Sequence, residues 1–161
     1  MSIRELDAMR VVADPTYAAT LTAEEWEALS LNAEWMHLVE EYRYPLGARR
    51  WQFPQGAFPH GVTGTPEQLA TAELKEETGF TAGRLERLGY LNCAHGITGQ
   101  NFHVFLATDL TAGEPRRELT EQDMRQQWFP REEVERMLRD GVITDNSSLA
   151  AYLLFTMRAS R

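Results

Sequence analysis

Apolar and polar residues alternate over several short segments of this chain, a pattern typical of half-buried strands. The segments that predict strands are residues 36–44, 51–53, 85–91, 102–106 and 126–129. A turn at Pro45-Leu46-Gly47 joins the first two into a hairpin. Helical periodicity then predicts helices over residues 130–140, ended by Gly141, and over residues 146–157. Strands with helices on either side predict an α/β (α+β) fold, an α/β/α sandwich around a mixed β-sheet.

A further helix is predicted between Thr65 and Gly79, and both of its ends carry local signals. The Thr65 hydroxyl suits the N-cap, Pro66 suits the first helical position, and Gln68 completes a capping box. Gly79 supplies a left-handed stop. Since Leu74 faces away from the acidic residues of this helix, it can dock the helix on a sheet and hold the acidic face toward a cleft.

Three carboxylates of this helix, Glu73, Glu76 and Glu77, stand at i, i+3 and i+4 and therefore point the same way. Like charges on adjacent turns repel each other, so a positive partner is expected, and a hard divalent cation is the natural candidate. The alternative is a solvated acidic helix face. The spacing alone leaves both interpretations open.

Composition limits the possible functions. The 161 residues suit one domain, and the net charge of -8 argues against a broad nucleic-acid surface, although a local basic patch can bind a small anion. A single cysteine, Cys93, excludes an internal disulfide and fits a reducing compartment. The first residues lack an apolar signal core, and no segment has the length of a membrane span. A soluble cytoplasmic protein is predicted.

The segment AELKEETGF, residues 72–80, resembles the second half of the Nudix box, whose pattern is Arg-Glu-aliphatic-X-Glu-Glu-X-Gly-aliphatic. The resemblance implies a Nudix fold, with Glu73, Glu76 and Glu77 as ligands of Mg²⁺ or Mn²⁺ and Glu76 also as a catalytic residue. Three positions depart from the full box, and one of them is Phe58, which falls where the family has its early glycine. Ala72 replaces an arginine that braces the carboxylates in the family, and Gly64 falls where the family has a loop glutamate. A small insertion within residues 57–64 would restore the alignment and leave the helix carboxylates in place.

Two motifs before the box resemble different Nudix groups. VEEYR at residues 39–43 and WQFPQG at residues 51–56 resemble enzymes that cleave ADP-ribose and nucleoside diphosphate sugars. This resemblance implies Arg43 as a phosphate or carboxylate ligand and the backbone carbonyl of Gln55 as a metal ligand. WQFPQG also resembles enzymes that act on dinucleoside polyphosphates and RNA 5′ ends, so the two signals conflict. Trp51 is a candidate for stacking on the nucleobase, with core packing as the alternative.

Candidates also follow the box. The segment ELTEQD matches an acidic loop of ADP-ribose-type Nudix enzymes, which implies Glu121 as the general base and Asp123 as an extra metal ligand. The alternative is an ordinary solvated loop. His95 stands where the ADP-ribose group typically has a proline, and it is a candidate phosphate ligand or simply an exposed histidine. Asp145 or Asn146 is predicted to cap the last helix.

Together these expectations predict a single-domain, metal-dependent hydrolase that cleaves the phosphoanhydride of a nucleoside diphosphate linked to another moiety, such as ADP-ribose or a sugar nucleotide. One alternative is a dinucleoside polyphosphate or RNA 5′ pyrophosphohydrolase, and another is a non-catalytic Nudix-fold ligand sensor, motivated by Ala72 and Gly64. The resemblance also implies a homodimer. Residues 1–32, which include a helix predicted over residues 22–29, are a candidate dimer contact.

Overall fold

The computed structural model describes residues 35–159. The N-terminal segment 1–32, with the helix predicted over residues 22–29, lies outside the described residues. In chain order the elements are β1 (Trp35–Arg43), β2 (Ala48–Gln52), α1 (Pro66–Thr78), β3 (Thr81–Asn92), β4 (Asn101–Thr111), β5 (Arg125–Pro130), α2 (Arg131–Arg139) and α3 (Asn146–Ala159), with single 3₁₀ turns at Tyr44–Leu46 and Leu119–Glu121. Each predicted strand and helix after residue 35 is therefore present, with ends shifted by a few residues.

The strands form two sheets. One has three strands in the order β2-β1-β5, and the other is the β3-β4 hairpin. All pairs of strands between residues 35 and 159 are antiparallel. The predicted α+β class is confirmed, and its sheets are antiparallel in this part of the chain rather than mixed. The first hairpin turns where the sequence predicts, because Gly47 adopts a left-handed φ of 59° that glycine accepts without strain.

The central strand β1 separates two apolar layers, since successive side chains of a strand point to opposite faces. The even-numbered residues Met36 and Leu38 pack in one core with Val134 of α2. The odd-numbered His37 points to the other face, where its ring lies 4.9 Å from the ring of Phe80. Helices α2 and α3 cover the even face, and α1 lies on the odd side. This is the layer order of an α/β/α sandwich.

Helix α1 begins and ends as its local chemistry dictates. The N–H of Gln68 donates to the Thr65 hydroxyl at 3.2 Å, and the Gln68 side chain accepts from the Thr65 N–H at 2.9 Å. At the other end Gly79, with a φ of 81°, donates to the carbonyl of Lys75. Leu74 packs against the apolar cluster on the odd side of the sheet. The helix is thereby capped, docked and oriented.

Helix α3 packs across the β3-β4 hairpin. A β-carbon at Gly89 would lie 2.7 Å from a methyl carbon of Leu154, so glycine lets this side chain of α3 pack directly on the strand. Asp145 caps the helix as predicted, since its Oδ2 accepts the N–H of Ser148 at 2.7 Å. Among the helices of residues 35–159, none combines the length and the apolar composition needed to cross a membrane.

Candidate metal centre

The loop that follows β2 contacts two of the three clustered carboxylates near the C-terminal end of α1. Glu77 is only 1% exposed, and its Oε2 accepts the backbone N–H of Gln55 at 3.2 Å. The carboxylate of Glu73 lies so close to Gly56 that a β-carbon there would be 2.1 Å from the carboxyl carbon. The residue after Gln55 must therefore be glycine if Glu73 is to keep this position.

Three elements bring carboxylates together at one point. Glu41 of β1, Glu77 of α1 and Glu121 of the 3₁₀ turn each place an oxygen atom within 4.8 Å of the other two. Sequence reasoning predicted roles for Glu77 and Glu121 but missed Glu41. The signal was present in the strand pattern, because Glu41 lies two residues from Arg43 and shares its face of β1.

Burial and neighbouring carboxylates together raise the pKa values of the acidic residues here. Burial raises the pKa of Glu77 to about 8, and the charges of Glu121 and Glu73 add to this effect. Burial and the charge of Glu76 raise the pKa of Glu73 to about 7. Burial also raises the pKa values of Glu76 and Glu41, with a contribution from Glu121 in both cases. Glu121 therefore lies within electrostatic range of four carboxylates.

These donors fit a hard divalent cation. Carboxylate oxygens are the ligands that Mg²⁺ and Mn²⁺ prefer, and a bound cation would favour the charged forms of Glu73 and Glu77, whose pKa values are raised first by burial and then by neighbouring carboxylates. Glu41, Glu77 and Glu121 are close enough together to share one ion. Glu73 and Glu76 lie beside them on α1.

Arg43 is held in place on the same face of β1. Its Nη2 donates to Oε1 of Gln52 at 2.7 Å, its Nε donates to the same oxygen at 3.2 Å, and it forms an ion pair with Glu41. Gln52 itself is 1% exposed. A guanidinium fixed in this way can present its remaining donor positions to an anion. Its role as a phosphate ligand stays a prediction.

The other predicted site residues have different surroundings. Asp123 is exposed and accepts from Nη1 of Arg49 at 2.6 Å. Trp51 stands opposite Glu40 in the β1-β2 register, on the core face of the sheet, and its ring packs 5.0 Å from that of Phe129. This packing favours the core interpretation of Trp51. His95 is exposed in the β3-β4 loop. The proposed ligand roles of Asp123 and His95 stay predictions.

Ala72 is exposed on α1 and lines a shallow surface depression together with Lys75. An arginine brace at this position of the box is therefore missing from this chain. The cation paired with a carboxylate of the cluster is Arg43, which comes from a different element.

In this α/β/α sandwich a capped helix directs carboxylates at an acidic cluster, in which Glu77 is buried and Glu41 and Glu121 are partly exposed. These features define an α+β domain with a candidate cation site. Residues 28–152 match the family model described as NUDIX domain. The chain therefore belongs to the Nudix family.

Two curated relatives share this similarity. The chain is 35% identical to the ADP-ribose pyrophosphatase of Mycobacterium tuberculosis (strain ATCC 25618 / H37Rv) over 118 residues, which are 72% of this chain and 56% of the relative. It is 36% identical to the ADP-ribose pyrophosphatase of Bacillus subtilis (strain 168) over 86 residues, which are 53% of this chain and 45% of the relative. The predicted resemblance to the ADP-ribose pyrophosphatase group is confirmed, and the chain spans about half the length of these relatives.

A solved structure of an ADP compounds hydrolase has the same fold. It matches with a TM-score of 0.67 and 23% sequence identity, over 78% of this chain and 66% of that chain. At this level of identity the match supports the fold alone.

Proposed function

We propose that this protein is a metal-dependent hydrolase that cleaves the phosphoanhydride of a nucleoside diphosphate linked to another moiety, with ADP-ribose as the first substrate to test. The observation that carries this proposal is the convergence of Glu41, Glu77 and Glu121 within 4.8 Å of one another in a Nudix domain. Two relatives described as ADP-ribose pyrophosphatases support the choice of substrate.

Each residue of the site has a proposed task. Glu41, Glu73, Glu76 and Glu77 bind Mg²⁺ or Mn²⁺, with the backbone carbonyl of Gln55 and the Asp123 carboxylate as further candidate ligands. When bound, the cation would neutralise the diphosphate oxygens and stabilise the leaving phosphate.

Two residues act on the reactants themselves. Glu121 accepts the proton of the attacking water, because it comes from a separate loop that faces the helix carboxylates. Arg43 binds a phosphate oxygen, since Gln52 and Glu41 already fix its orientation.

The test is release of AMP from ADP-ribose in the presence of Mg²⁺. We expect Glu121→Gln to lower kcat about 100-fold with little change in KM, because general-base catalysis contributes a factor of this order. Glu67→Gln is the matched control, since Glu67 is exposed at the opposite end of α1 and should retain activity. Absence of turnover by the native protein on ADP-ribose, a sugar nucleotide and a dinucleoside polyphosphate, with either Mg²⁺ or Mn²⁺, would contradict the hydrolase.

The exposed Ala72 favours a second candidate, a ligand sensor without turnover. Calorimetric titration with ADP-ribose separates the two functions. A sensor would bind the nucleotide with Mg²⁺ present and release no AMP, whereas a hydrolase would consume it.

Assembly and location are also proposals. We expect a homodimer, as the resemblance implies, and a cytoplasmic location, as the single cysteine predicts. Light scattering after size-exclusion chromatography tests the dimer. A single species with the 18.4 kDa mass of one chain would contradict it.

A further inference from the structure

The side chain of Gln55 ties the loop after β2 to the N-terminus of α3. Its Nε2 donates to Oδ2 of Asp145 at 3.2 Å, and its Oε1 lies 2.8 Å from the Ser147 hydroxyl. The same hydroxyl lies 2.8 Å from Asp145 Oδ2, and its one proton can be donated to either oxygen, so the three side chains form one connected network. We call this network the Gln55 clamp.

A second tie lies two residues earlier. The backbone N–H of Phe53 donates to the hydroxyl of Ser148 at 3.0 Å, and Ser148 is 1% exposed. The loop is therefore held at positions 53 and 55 by consecutive residues at the start of α3. Because Asp145 also caps this helix, the support is a rigid element rather than another loop.

The opposite side of the same loop contacts the carboxylates. The backbone N–H of Gln55 donates to Oε2 of Glu77 at 3.2 Å, and Gly56 lies directly against the carboxylate of Glu73. One residue thus uses its side chain to hold α3 and its main chain to hold a carboxylate of α1. Any shift of the loop would move both contacts.

We propose that Gln55 is a positioning residue. Its side chain sets the orientation of Glu77 and Glu73 through the loop and thereby raises the affinity for the cation. This inference rests on the proposed function for the cation itself. The segment between β2 and α1 contains no strand or helix of its own, so its path depends on contacts such as the clamp. Ordering such a segment costs conformational entropy, and contacts that orient metal ligands typically change affinity 10-fold to about 100-fold.

The experiment measures Mn²⁺ binding alone, by electron paramagnetic resonance, for the native protein and Gln55→Ala. We expect Gln55→Ala to weaken Mn²⁺ binding about 10-fold. Gln127→Ala is the control, because Gln127 is an exposed glutamine on β5, and it should bind Mn²⁺ as the native protein does. Equal affinity of Gln55→Ala and the native protein would overturn the inference and leave the proposed function standing.

Ser147 supplies an independent test with a conservative rescue. Ser147→Ala removes the hydroxyl from the clamp and leaves the bond between Asp145 and the Ser148 N–H that caps α3. We expect this variant to weaken Mn²⁺ binding and Ser147→Thr, which keeps a hydroxyl, to restore it. Weakening of equal size in both variants would indicate only local disturbance of α3 and would overturn the inference.

A measurement without metal completes the design. The amide at position 55 donates to Glu77, so its hydrogen exchange reports the position of the loop. Exchange should be faster in Gln55→Ala than in the native protein, and unchanged exchange would overturn the inference. A native protein with a protected amide at this position that binds no Mn²⁺ would instead contradict the proposed function. It would also contradict the effect of the clamp on cation affinity.

Discussion

Arg117 donates from Nε to the main-chain carbonyl of Glu77 at 2.9 Å. Carbonyls in the last turn of a helix lack partners within the helix, so this guanidinium caps the C-terminus of α1. The neighbouring Arg116 donates its N–H to the carbonyl of Glu76 at 2.9 Å. Two consecutive residues therefore anchor the loop that carries Glu121 to the end of the acidic helix.

The first prediction concerns this anchor. Arg117→Ala should lower the free energy of unfolding by about 2 kcal/mol, because charged donors to Glu77 and Met124 carbonyls are lost. Urea unfolding measures the change. Arg116→Ala is the control, since only the backbone of Arg116 makes the bond to Glu76, and its effect should stay within about 0.5 kcal/mol. Equal losses in the two variants would contradict a specific cap by Arg117.

The second prediction concerns His37, whose imidazole is buried between Phe80 and Trp128. Burial, with help from the charge of Arg117, lowers the pKa of His37 from 6.5 to about 4. Below pH 6.5 the unfolded chain binds a proton that the folded chain refuses, so stability falls as pH decreases toward 4. Between pH 7 and pH 4, His37 therefore lowers the free energy of unfolding by about 3 kcal/mol.

The difference in unfolding free energy between the native protein and His37→Leu isolates this effect. It should change by this amount between pH 7 and pH 4, because other titrating groups contribute equally to both proteins and cancel. A difference that does not depend on pH would show that His37 has the same pKa in the folded and unfolded chain, and would refute the prediction.

The third prediction concerns the buried charge of Glu77. Its pKa is raised from 4.5 to about 8. The stability that the neutral carboxyl contributes below pH 4.5 is therefore lost as the pH rises from 4.5 to about 8. At pH 8 with chelator, Glu77→Gln should therefore be more stable than the native protein by about 2 kcal/mol, and at pH 4.5 the advantage should disappear. Guanidinium unfolding at the two pH values measures it.

Adding the cation should favour the native protein over Glu77→Gln. Mg²⁺ stabilises a folded state that binds it, so it should raise Tm of the native protein more than that of Glu77→Gln. Glu67→Gln is the control on the same helix and should lose only a few tenths of a kcal/mol, about the value of an acidic residue in a first helical turn. A destabilised Glu77→Gln at pH 8 with chelator would refute the prediction.

The fourth prediction concerns Gly56. A methyl group there would overlap the carboxylate of Glu73, which sits at the end of a flexible side chain and can swing away. Gly56→Ala should therefore change the unfolding free energy by less than about 1 kcal/mol and weaken Mn²⁺ binding about 10-fold. Gly96→Ala, at an exposed position with open space around it, should affect neither quantity. Unchanged Mn²⁺ affinity in Gly56→Ala would show that the position of Glu73 does not affect cation binding.

Local chemistry explains what could be predicted from the sequence. The ends of α1 follow from Thr65, Gln68 and Gly79, which act within a few residues of one another. The β3-β4 hairpin was predicted too short, since many of its outer residues are exposed and polar and leave no apolar alternation to detect. Pairing along the hairpin extends these strands, and it brings Ala82, Ala107 and Leu110 into the apolar cluster around Phe80.

The site required tertiary information. Glu41 lies 36 positions before Glu77 in the chain, and only the docking of α1 on the odd face of β1 brings them together. The β1-β2 register likewise decides that Trp51 belongs to the core, because it stands opposite Glu40 rather than Glu41. Neither fact follows from composition or spacing.

Strand β1 places Met36 and Leu38 on its even face, in the core with α2, and Glu41 on its odd face, in the acidic cluster. Inserting or deleting one residue between Leu38 and Glu41 would put these two side chains on the same face, so that either a charge enters that core or Leu38 turns toward the site. Such a change in length would damage stability and cation binding in one step. Evolution and engineering can therefore vary the chemistry of this strand by substitution. Its length and register are fixed, because the strand lies between two packed layers.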